Sequence, residues 1–120
     1  MAPFSTARAR RRQAATPWLQ WHVGLWWSVA ADRAFGEGTL DRESITWPGT
    51  ATAATAWLVA LHDSWVAELD RLADDDLARP ATWPLRDGTL GDVVAWANIE
   101  LMKNAAELGM LRFLYASRHT

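Results

Sequence analysis

The chain has no cysteine, which excludes a disulfide scaffold, a thiol nucleophile and thiolate metal ligands, and permits a reducing compartment. No apolar run approaches the roughly 20 residues that a membrane-crossing helix needs. The N-terminal arginines are not followed by the apolar segment of a secretory signal, so membrane association and export have no support. Alternation of apolar and polar residues over a useful length is also missing, which leaves β-strands without a signal. There is no glycine-rich phosphate loop, no nucleophile elbow and no pair of histidines at helical spacing. Nucleotide hydrolysis, serine-type acyl transfer and the helical zinc motif of metalloproteases therefore drop out.

What is present suits one small globular domain. In 120 residues, half of them apolar, nine are tryptophan. Tryptophans supply large contact areas to a small core, and some can wall a pocket or an interface. The net charge of −2 hides an asymmetry, because Arg8, Arg10, Arg11 and Arg12 sit in residues 1–15, where there are no acids. The remainder is acidic and shows no basic face for nucleic acid. Residues 1–15 read as a short flexible leader rather than an organelle-targeting peptide, and residues 16–118 as the folded domain.

Three long helices account for that domain. Thr16-Pro17 reads as a helix start, with threonine as cap and proline in the first turn, and the helix stops at Gly36-Glu37-Gly38. Trp18, Leu25, Val29 and Trp26 form its apolar arc, with His22 inside the arc. Residues 36–49, ending in Trp47-Pro48-Gly49, read as a loop with a tight turn. Thr50 or Thr52 caps the second helix, which runs to about Ala73 with an inner stripe of Ala54, Leu58, Leu61, Trp65, Leu69 and Leu72. The acids Asp74-Asp75-Asp76 suit a helix C-terminus poorly, and predict fraying or a short capped turn. After a connection over residues 77–88, Thr89 with Asp92 three residues later forms a capping box. The third helix extends to about Ser117, some 40 Å at 1.5 Å per residue. The class is all-α, an up-and-down bundle.

Polar groups on inner faces mark the candidate site. On the third helix Val93, Ala97, Leu108, Leu111 and Tyr115 share a stripe, and Asn104 projects from its middle. Glu100 and Glu107 flank it at helical spacing, so the three can converge on one patch. Buried charge needs a cation, a metal or hydrogen bonds. The plainer reading makes Asn104 a bundle-specifying amide and His22 a buried imidazole bonded to Glu100, Glu107 or Asn104. Lys103 can pair with Glu107, and Arg112 or Arg118 with Glu100. The sharper reading gathers His22, Glu100 and Glu107 into a two-carboxylate, one-histidine metal site. His62 reads as a core or rim residue and His119 as solvated.

Taken in order, Trp21-His22-Val23-Gly24, Phe35-Gly36, Trp47-Pro48-Gly49-Thr50, Asn98-Ile99-Glu100, Ala105-Ala106-Glu107-Leu108-Gly109, Leu111-Arg112 and Leu114-Tyr115 resemble the DinB-like family. These are damage-inducible four-helix bundles related to mycothiol-dependent maleylpyruvate isomerase and bacillithiol transferases. The resemblance covers roughly residues 17–117. It implies a divalent metal such as zinc or nickel, held by one histidine that maps onto His22 and two on the last helix. At the latter positions this chain has Lys103-Asn104-Ala105-Ala106-Glu107. Lysine is an ammonium and asparagine a poor ligand, so the three-nitrogen site is not available.

The resemblance also implies a helix ahead of the one carrying His22, which residues 1–15 are too short and basic to replace. A bundle short of a helix exposes an apolar groove, which a second copy can close. The leading expectation is a cytoplasmic domain with a degenerate metal site that binds a small molecule or dimerises, without nucleic acid or membrane partners. The alternative is a thiol-dependent transferase or metal-dependent hydrolase using His22, Glu100 and Glu107 in a pocket walled by Trp18 and Trp26. A truncated chain without an independent role is the third possibility.

Overall fold

The computed structural model describes the backbone of residues 3–118 and the side chains from Pro17 onward; His119 lies outside the described residues. Three helices carry the fold: α1 (Pro3–Phe35), α2 (Ala51–Asp70) and α3 (Leu90–Ala116). Short 3-10 turns occupy Arg42–Ser44 and Asp74–Ala78. A two-residue antiparallel pairing sets Pro80 against Thr89 and Ala81 against Gly88. The all-α reading holds, and the strand pairing only pins the connection ahead of α3.

The caps form as their local sequences dictate. Thr50 Oγ1 accepts the Ala53 N–H at 3.1 Å and opens α2. At α3 the Thr89 N–H donates to Asp92 Oδ2 at 2.8 Å, and the Asp92 N–H donates to Thr89 Oγ1 at 3.3 Å. Each exchange satisfies amides that the first helical turn leaves without partners. Beyond α2, Asp76 accepts the Ala73 N–H at 2.8 Å, so the aspartate run caps a short turn.

The start of α1 corrects the expectation of a helix beginning at Thr16-Pro17. The backbone is helical from Pro3, with Pro17 inside the helix. One interior proline removes a single hydrogen bond and crowds the preceding turn, at a cost of about 3 kcal/mol. The run from Ala7 to Ala15 consists of alanine, arginine and glutamine, residues near the top of the helix scale, which favours continuing the helix through that position. Residues 3–15 thus extend the helix of His22 and do not form a separate one.

Helix directions depart from strict alternation. Along α1 and α2 the contacts advance together. Gly24 faces Trp57, Trp27 meets His62 edge-on at 6.0 Å, and Phe35 meets Trp65 at 5.4 Å. The two helices are therefore parallel, and residues 36–50 must travel back along α1 to let α2 start at the lower end. Trp21 marks that return path, donating its indole N–H to the Ile45 carbonyl at 3.0 Å. α3 begins where α1 and α2 end and runs antiparallel to both. Its Trp96 packs edge-on against Trp26 at 5.4 Å and against Trp83 at 4.6 Å.

The core lies at the upper end, where all three helices meet. Val23, Trp26, Trp27, Ala30, Trp65, Val93 and Ala97 form one buried cluster, with Phe35, Leu58, Leu61 and Leu69 packed against it. α1 and α2 approach closely because position 24 is glycine: a Cβ there would overlap the Trp57 ring. Trp18, expected in the inner arc of α1, is 54% exposed. Among the described residues no helix is long and apolar enough to cross a membrane.

Candidate functional site

The antiparallel pairing of α1 and α3 sets the site's levels. With Trp26 against Trp96, one turn down brings His22 level with Glu100, and the next brings Trp18 level with Asn104. Of these, Asn104 is 1% exposed, the only buried polar side chain among the described residues. Neither its Oδ1 nor its Nδ2 has a hydrogen-bond partner. The indole nitrogens of Trp26, Trp27 and Trp47 and Oε1 of Gln20 are also buried without partners. Asn104 differs in leaving a donor and an acceptor unused together, and each such group costs about 1–3 kcal/mol unless something meets it.

His22 and Glu100 have partners other than Asn104. His22 is half-buried, and its ring lies flat on Trp18 with centroids 4.9 Å apart and planes 8° from parallel. It makes no hydrogen bond to Asn104. Glu100 is paired to Lys103, with Oε2 and Nζ 3.5 Å apart. Lys103 therefore serves Glu100 rather than Glu107, and neither Arg112 nor Arg118 is needed there. His62 is exposed, with Nδ1 3.1 Å from Asp63 Oδ1.

As a metal site the chain fits poorly. Among the described residues no group of three or more histidine, aspartate or glutamate side chains is gathered as ligands would be. Lys103, an ammonium held against Glu100, occupies one position where the family resemblance implies a histidine, and the partnerless amide of Asn104 occupies the other.

A different arrangement follows Asn104 down the same face of α3. Leu108, Leu111, Arg112, Leu114, Tyr115, Ala116 and Arg118 line a cavity of about 600 Å³, within the usual range for small-molecule sites. Leu108 and Leu111 are half-buried and supply an apolar wall. Neither Arg112 nor Arg118 forms an ion pair with the described acids. An apolar wall beside two guanidiniums that no described acid neutralises favours an organic anion, since arginine offers paired donors to carboxylate, sulfonate or phosphate oxygens. A second, more open cleft of about 430 Å³ is lined by Pro17, Trp18, Trp21, Ile45, Thr46 and Trp47.

Sequence reasoning placed Asn104, Leu108 and Leu111 on one inner stripe but did not see a cavity there. The signal was Arg112 in the last turn of α3 and Arg118 just past its end, without acids at ion-pairing spacing below them. The tether from Trp21 to Ile45 was missed as well, and nothing local announces it.

The family described as the DinB superfamily matches residues 6–108 of the chain. No curated protein and no solved structure matches it significantly.

Proposed function

This chain belongs to the DinB superfamily, and we propose that it is a small-molecule-binding domain, lacking the three-nitrogen metal site, that takes an amphipathic organic anion. The ligand's apolar body lies against Leu108 and Leu111, and its acidic group meets Arg112 and Arg118. Asn104, one turn above Leu108, is buried and is not among the residues that line the cavity. The observation that carries this reading is the pairing of an apolar cavity of about 600 Å³ with two guanidiniums that no described carboxylate neutralises. A catalytic role for His22, Glu100 and Glu107 has less support, because Glu100 is engaged by Lys103 and His22 by Trp18. We place the domain in the cytoplasm, where a cysteine-free chain is at no disadvantage.

Anilinonaphthalene sulfonate has the required chemistry, an aromatic body with one fixed negative charge, and its fluorescence reports burial. The expected result is saturable binding of one dye per chain. Leu111→Trp, which fills the cavity, should abolish binding, and Arg112→Gln should weaken it about tenfold. Met102→Glu, on the far side of α3, should leave it unchanged. Binding that survives Leu111→Trp but is lost in Met102→Glu would place the dye on the outer surface and end the proposal.

A further inference from the structure

The cleft between α1 and the segment that returns along it is walled by tryptophan. Pro17, Trp18 and Trp21 of α1 line it together with Ile45, Thr46 and Trp47, around a space of about 430 Å³, a volume suited to a small ligand. Elsewhere the indoles cover one another: Trp26, Trp27, Trp65, Trp83 and Trp96 each pack against an aromatic neighbour. The three indoles of the cleft behave differently. Among the described residues no ring contact joins any two of them, and Trp18 is left 54% exposed. They share one space without filling it.

The walls are tied together. The Trp21 N–H donates to the Ile45 carbonyl at 3.0 Å, and the Leu40 N–H donates to Asp32 Oδ2 at 2.9 Å, so the returning segment is fastened to α1 at two levels. His22 lies flat on Trp18, covering one face and fixing the plane of that ring. A site whose walls are held before a ligand arrives loses little freedom on binding. The lining also selects the ligand. None of its six residues is charged, so an ionic group entering it surrenders water without an ion pair in return. Indole faces and edges favour a flat ring over an aliphatic chain of equal area. The N–H of Trp47 is buried without an acceptor, so a ligand that brings a carbonyl to it makes a hydrogen bond that neither a hydrocarbon nor an alkylammonium can offer.

We propose that this cleft is a second binding site, for an uncharged planar aromatic ring bearing a carbonyl group, such as an aromatic amide. The ring lies among Trp18, Trp21 and Trp47, and its carbonyl oxygen accepts the Trp47 N–H. The site shares no lining residue with the cavity at the end of α3, so neither reading depends on the other.

Benzamide, benzamidine and benzoate share one shape and are neutral, cationic and anionic. Titrated into the isotope-labelled full chain, benzamide should move the indole N–H resonances of Trp18, Trp21 and Trp47, assigned from single phenylalanine substitutions, and leave those of Trp65 and Trp83 in place. The shifts should saturate with a Kd of about 1 mM, and benzamidine and benzoate should bind at least about fivefold more weakly. Trp18→Ala, at an exposed position, should weaken benzamide about fivefold with helix content preserved. Trp47→Phe keeps a ring and removes the N–H, and should weaken it about threefold. Leu111→Trp, which fills the other cavity, should leave benzamide binding unchanged. Equal or tighter binding of either ion, shifts that do not saturate, indifference to Trp18→Ala or to Trp47→Phe, or loss of binding in Leu111→Trp would each overturn the proposal.

Discussion

The two halves of α3 have the same helical backbone and opposite surroundings. In the first half Leu90, Val93 and Ala97 are at most 3% exposed, and Val93 and Ala97 belong to the cluster of Trp26 and Trp65. In the second half only Asn104 is buried; Leu108 and Leu111 are half-covered, and Phe113 and Tyr115 are well over half exposed. The difference traces to α2. Trp57 stands level with Gly24, so α2, starting six residues earlier at Ala51, begins at about the level of Trp18 and Asn104. α2 does not extend below that level. Three helices can close a core around one another, and two cannot. The upper half therefore holds the fold together, and the lower half keeps a cavity on one side and bare apolar surface on the other. Stability and recognition are separated along a single helix.

That separation can be broken most forcefully from the upper end. Trp65→Ala removes a 5% exposed indole from the cluster and is expected to cost about 3–5 kcal/mol in urea unfolding. Leu111→Ala in the lower half should cost less than half as much, because its side chain already borders open space. Equal losses would mean that the two ends fold as one packed unit. Asn104→Leu sharpens the contrast with the opposite sign. Removing two buried polar atoms that lack partners should raise unliganded stability by about 1 kcal/mol, with binding of the sulfonate dye unchanged. A loss of stability instead would show that the amide is satisfied in solution. The smallest effect is expected at the cap: Thr89→Ala should cost about 1 kcal/mol, read as a lower melting temperature with dye binding unchanged.

Much of the fold was readable before any coordinates. The caps at Thr50 and Thr89, the inner stripe of α2 through Ala54 and Trp65, and the burial of Val93, Ala97 and Asn104 all follow from residues within a turn or two of one another. The candidate site was legible only in part. Asn104 stood out because an amide interrupts an apolar stripe, yet its lack of a partner depends on what α1 presents across the interface. The expected convergence of His22 with Glu100 and Glu107 required two helices to bring those groups into contact. In the structure Trp18 takes the imidazole and Lys103 takes Glu100, two neighbours on their own helices.

Helix content, the caps at Thr50 and Thr89 and the inner faces of α2 and of the first half of α3 were thus settled by the chain alone, since their causes act over three or four residues. The parallel course of α1 and α2, the exposure of Trp18, the cavity beneath Asn104 and the uncovered back of α3 were not. Each depends on where the segment from Gly36 to Thr50 travels and on where α2 begins relative to its neighbours. A loop's path is set by contacts between residues far apart in sequence, such as Trp21 with Ile45, and no local period encodes it.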